Sequence, residues 1–132
     1  MLFRSAASRG RSIDVAIAEK AIAAAGRLPA EQRAVPEEAR RHAYFGQATL
    51  RDAKDMAATD KAVAEYLAAI GLAPWWPDVY VNLSLLEESR GNYKHAESAL
   101  RLYLLAAPQA PDAAAALAKI ASLRDLASES PK

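Results

Sequence analysis

A chain of 132 residues suits one domain with a single core, and its net charge of +1 gives no global field toward nucleic acid or an anionic membrane. The absence of cysteine excludes disulfide frameworks and thiolate zinc sites, and no apolar run approaches the ~20 residues of a membrane span. Apolar residues make up 52% of the chain, much of it alanine, which favours closely packed helices over a β-rich fold.

Residues 1–11 hold Arg4, Arg9 and Arg11, no acid, and a brief apolar start at Leu2 and Phe3. No secretory signal is legible there, so a frayed terminus and a cytoplasmic location are the expectations. The same acid-free arginine and serine content also suits an organelle transit peptide. A first helix is predicted over 12–28, with Ser12 as its cap and Ile13, Ala16, Ile17, Lys20 and Ala21 on its stripe. Leu28 to Val35 reads as a linker. Val35-Pro36-Glu37-Glu38 opens the next helix, placing proline and acids in the first turn. Its partner, from about Asp60 to Leu72, carries Ala62, Tyr66, Ala69 and Ile70.

Residues 77–90 form a helical pattern with Tyr80, Leu83 and Leu86 in line and Leu85 off the stripe. Gly91-Asn92 breaks it, as a glycine after the last turn should. A helix from Tyr93 to Ala106 follows, with Ala96, Ala99, Leu100, Tyr103 and Leu104 on one face. The last helix, 111–127, aligns Leu117, Ile120, Ala121 and Arg124, and 129–132 is a polar tail.

These elements repeat. Ala73-Pro74-Trp75-Trp76-Pro77-Asp78 recurs as Ala107-Pro108-Gln109-Ala110-Pro111-Asp112, displaced by 34 residues. At that displacement Ala62 answers Ala96, Ile70 answers Leu104, and Leu83 answers Leu117. Pro74 and Pro108 cannot continue a helix, whereas Pro77 and Pro111 suit a first helical position, where the missing amide proton costs nothing. Asp78 and Asp112 then favour the positive end of the helix dipole. Each string is a stop, a hinge and a start. Antiparallel helix pairs at this period predict an all-α solenoid of helix-turn-helix repeats.

Residues 77–110 resemble one complete tetratricopeptide repeat. Asn82-Leu83-Ser84 resembles that family's first-helix segment, where a small residue lets two helices approach, and Gly91-Asn92-Tyr93 resembles its turn. Ala96 and Pro108 resemble its small second-helix residue and terminal proline. Glu87 and Tyr103 depart from the pattern, which usually has an aromatic and an alanine there. A looser copy spans 36–76, with Gly46 as the small interhelical residue and Phe45 beside it. Its four extra residues fall around the turn, within Asp52–Asp60. The 12–28 helix suits the second helix of a degenerate earlier repeat, and 111–127 suits a capping helix.

The resemblance implies a partner protein or peptide in a concave groove lined by the first helices. The matching positions are Arg40, Ala43, Gln47, Leu50 and Arg51, then Asp78, Val81, Leu85, Glu88 and Ser89. The pattern, basic at one end, apolar centrally and acidic at the other, suits an extended or helical peptide. The function implied is a scaffold or adaptor. The competing expectation is a homodimer, because two full repeats are fewer than the three needed for independent stability. The lysine-and-asparagine clamp of chaperone-binding members is not matched.

Catalytic chemistry is not expected. There is no strand-turn-helix context for a nucleophile elbow and no cysteine nucleophile. His42 and His95 read as solvated surface imidazoles, and Glu87-Glu88 as surface charge, since adjacent helical residues point about 100° apart. The five glycines are scattered singly and make no phosphate loop, so no cofactor is called for. Arg40-Arg41 with Arg51 is the most basic cluster, read as a solvated face or as an attractor of carboxylates. Trp75 and Trp76 are candidate anchors for a partner, or covers for helix ends, with at least one substantially buried.

Overall fold

Helix-forming composition and well-placed stop residues make α-helix the one regular element, besides a single 3-10 turn, among the described residues. A computed structural model describes residues 12–52 and 55–129 and contains, within them, six α-helices and no strand. They are α1 (Val15–Ala25), α2 (Glu37–Asp52), α3 (Met56–Leu72), α4 (Pro77–Ser89), α5 (Tyr93–Ala106) and α6 (Ala113–Glu129). A single 3-10 turn, Ala30–Arg33, interrupts the linker between α1 and α2. The terminus expected to fray (1–11) and the final residues of the tail (130–132) lie outside the described residues.

Local chemistry fixes most boundaries. Pro77 opens α4 in its first turn, as the proline string requires. Gly91 ends the hairpin turn at φ +80°, a conformation that costs an L side chain its Cβ clearance. Three starts differ from the sequence expectation. Asp14, not Ser12, caps α1, accepting from the Ile17 amide at 3.1 Å. Asp55 caps α3 through the Ala58 amide at 2.9 Å, so the extra residues add a turn of helix before Asp60. Pro111 stands before α6, whose first turn is set by the Asp112 carbonyl accepting from Ala116 at 2.9 Å. The Tyr103 hydroxyl, donating to the Asp112 carboxylate at 2.6 Å, holds that hinge.

Consecutive helices pair: α2 packs on α3, α4 on α5, α3 on α4 and α5 on α6. Each of the first two pairs crosses at a small residue. A Cβ on Gly46 would lie 2.7 Å from Cε1 of Tyr66, so only glycine lets α2 and the Tyr66 ring meet this closely. The corresponding residue of α4 is Ser84, buried, whose hydroxyl donates to the Ala96 carbonyl of α5 at 2.8 Å. Tyr66, Val79, Tyr80 and Leu83 fill the core between the pairs, each fully buried. Burial of such a side chain contributes roughly 1.5–3 kcal/mol. Tyr80 keeps its polar end satisfied by donating to the Pro74 carbonyl at 2.6 Å, and burial pushes its phenol far above the ordinary range.

The outer helices present faces other than those read from the sequence. In α1 the buried residues are Ala18, Ile22 and Ala25, while Ile17 is 65% exposed. In α6 they are Ala116, Ile120 and Leu123, with Leu117 exposed. Both helices are so rich in alanine and aliphatics that two adjacent faces compete, and the neighbour decides. The linker returns α1 onto α5, so Ala18 and Ile22 share a core with Leu102, which this contact buries.

Candidate functional site

The ten groove positions divide into surface and core. Arg40, Gln47, Arg51 and Asp78 are exposed, as is Ser89, whose hydroxyl donates to the Leu86 carbonyl at 2.7 Å. Leu85 is 57% exposed and Val81 is half-buried. Ala43 is buried and Leu50 packs against the hairpin core, so these two support the helix pair. Glu88 is engaged: Lys119 of α6 donates to its Oε2 at 3.0 Å, tying α4 to the last helix. Among the described residues, no ion pair or side-chain hydrogen bond joins Arg40, Gln47 or Arg51 to Asp78, Glu88 or Ser89. The three cationic and amide side chains are exposed, and Leu85 is an exposed apolar side chain of α4.

Trp75 and Trp76 are both half-buried in the hinge between α3 and α4. Trp76 precedes Pro77 and packs against the core, which suits a covered helix start. The Trp75 indole Nε1 is buried without a hydrogen-bond partner among the described residues.

One polar group read as surface, Glu87, is internal. Glu87 is 1% exposed, and its Oε1 accepts from Asn92 Nδ2 at 2.9 Å while its carbonyl accepts from the Asn92 amide, also at 2.9 Å. Arg90 Nε lies 4.0 Å from the same carboxylate and His95 Nδ1 3.8 Å from its other oxygen. Arg90 also donates to Asp60 Oδ1 at 2.6 Å, linking the α4 end to α3. The reversal at Gly91 causes this: it folds Asn92 back beneath α4, where its amide needs an acceptor. Asn92 directly after the turn glycine, five residues beyond a glutamate, was the signal in the sequence. His42 is likewise engaged, its Nδ1 2.7 Å from Glu65 Oε1 across the α2–α3 pair. Both histidines therefore have carboxylate neighbours rather than water alone.

Among the described residues no group of three or more histidine, aspartate or glutamate side chains could hold a metal ion. None of the described helices is long and apolar enough to cross a membrane. No protein-family model, curated protein or solved structure matches this chain.

Proposed function

We propose that this chain is a protein-interaction module of the tetratricopeptide type, a scaffold or adaptor that holds a segment of a partner protein. The observation that supports it best is the repeated small-residue crossing, Gly46 against Tyr66 and Ser84 against Ala96: the small residue holds the same place in two successive first helices, and the groups it meets lie one helical turn apart in the repeat. In a solenoid of such pairs the first helices line one face, and the residues that face would carry include Arg40, Gln47, Arg51 and Leu85, all exposed. A partner segment with a carboxylate for the arginines and an apolar side chain for Leu85 fits this surface. Catalysis forms no part of the proposal.

An affinity pull-down comparing wild type with Arg40→Glu, Arg51→Glu and Leu85→Asp tests it. The expected result is a partner retained by wild type and lost with at least one variant. A specific partner that ignores all three changes overturns the groove assignment. The second reading is self-association through an apolar surface, favoured by Tyr44 and Phe45, 58% and 47% exposed on α2. Its own test is light scattering across concentration, where a constant monomer mass counts against it.

A further inference from the structure

We propose that the groove between α1, α5 and α6 is a second docking surface, built for an acidic amphipathic helix of a partner protein. The groove measures about 760 Å³ and shares no residue with the Arg40–Leu85 face, so it stands whether or not that reading holds. Its apolar floor combines Leu102 and Ile120, which are buried, with Leu105 and Leu117, 49% and 59% exposed. Two exposed leucines from different helices opening onto one cleft is the arrangement into which a helix lays its apolar face.

The rim supplies the choice of partner. One carboxylate oxygen, Oε2 of Glu97, accepts from Arg101 Nε at 3.1 Å and from Arg124 Nη2 at 2.9 Å. The Glu97 side chain is only 14% exposed, whereas the two guanidiniums remain 56% and 55% exposed. One partly buried negative charge thus anchors two exposed positive ones, fixing their position and leaving a net positive charge. Lys94 borders the same groove and makes no ion pair among the described residues, and only Glu19 opposes these cations from the α1 side. What solvent meets above the leucines is a pre-positioned cationic edge, complementary to carboxylates.

The same charges argue against one other occupant. Residues 1–11 of this chain carry three arginines and no acid, which would place like charge on the rim.

The test uses the full chain and two synthetic fluorescent peptides of about 16 residues, long enough for four helical turns. Both carry leucines at i, i+3 and i+7; one is flanked by glutamates and its twin by lysines. Fluorescence anisotropy is read at low and physiological salt for wild type, Leu117→Asp, Leu105→Ser, the pair Arg101→Glu/Arg124→Glu, and Leu85→Asp, each checked for helicity by circular dichroism. The proposal expects saturable binding of the glutamate peptide, weakened by salt and about tenfold or more by the lysine twin, by Leu117→Asp, by Leu105→Ser and by the arginine reversals. Leu85→Asp should bind as wild type does. Equal affinity for both peptides, or full affinity in folded Leu117→Asp and Leu105→Ser, overturns it. So does a dimer that Leu117→Asp dissociates, or saturable uptake of laurate with no binding of the glutamate peptide.

Discussion

The same substitution, glycine to alanine, should change stability in opposite directions at two sites of neighbouring helices. At Gly46 the added methyl would meet Tyr66 Cε1 at 2.7 Å, Cδ1 at 3.0 Å and Cζ at 3.2 Å. Carbon atoms prefer roughly 3.5–4.0 Å, so the ring must move by most of an ångström. Tyr66 is 1% exposed and surrounded by core, and has nowhere to go without displacing neighbours. Such overpacking costs about 1–3 kcal/mol, while alanine in a helix interior returns about 0.5–1 kcal/mol over glycine. Gly46→Ala should therefore destabilise by about 1–2 kcal/mol. At Gly71, in α3, a Cβ would touch nothing within 4 Å, so only the propensity gain remains. Gly71→Ala should stabilise by about 0.5 kcal/mol, toward the low end because the residue sits in the last turn. Urea unfolding followed at the helical circular-dichroism band reads both, with midpoints shifting in opposite directions at unchanged slope. If Gly46→Ala is as stable as Gly71→Ala, the α2–α3 crossing is not where the structure puts it.

Removing the buried carboxylate by Glu87→Ala strands Arg90 and Asn92 and should cost about 3 kcal/mol, while Glu87→Gln keeps an acceptor and should cost about 1–2 kcal/mol; equal, negligible losses in urea unfolding would return Glu87 to the surface. Gly91→Ala, forced to hold φ +80°, should lose about 1–2 kcal/mol by the same assay, and a neutral result would mean the turn adopts another form. Burial alone would raise the Glu97 carboxyl, but hydrogen bonds and charge from Arg124 and Arg101 outweigh it and hold the group below the ordinary 4.5. Because the folded value is depressed, its stabilising contribution is complete above the ordinary value and is lost as pH falls through the folded one. Glu97→Gln should therefore flatten the stability loss on the acid side of about pH 4.5, and an unchanged acid limb of the urea midpoint against pH would contradict the shared ion pair.

The middle of the chain was legible almost residue by residue, and its ends were not. Pro77, Gly91 and the hinge prolines act through backbone geometry alone, so α4 and α5 begin and end as the sequence implies. Gly46 was readable for a related reason, since a glycine inside a helix costs stability unless a neighbour needs the space. By contrast α1 and α6 present aliphatic residues on two adjacent faces, and which one is buried depends on where the chain returns. The burial of Leu102 could not be read from α5, because the helix that covers it lies some 80 residues earlier in sequence. The start of α3 was missed because Asp55 caps from within a polar stretch that looked like a loop. Glu87 was missed because charge on a helix is usually solvated, and only the fold-back of Asn92 encloses it; the two histidines stay partly exposed and gain a carboxylate neighbour. The groove positions came from the family resemblance alone, and burial separates Ala43 and Leu50 from the exposed residues among them.

Site-specific photocrosslinking from position 85 tests most directly whether the first-helix face holds a partner segment. A photoreactive amino acid replaces Leu85 in the otherwise intact chain, and adducts formed in cells are separated and identified by mass. The account predicts a crosslink to a different polypeptide that disappears when Arg40→Glu and Arg51→Glu are added. Adducts only between copies of this chain, or a partner adduct undiminished by both reversals, would contradict it.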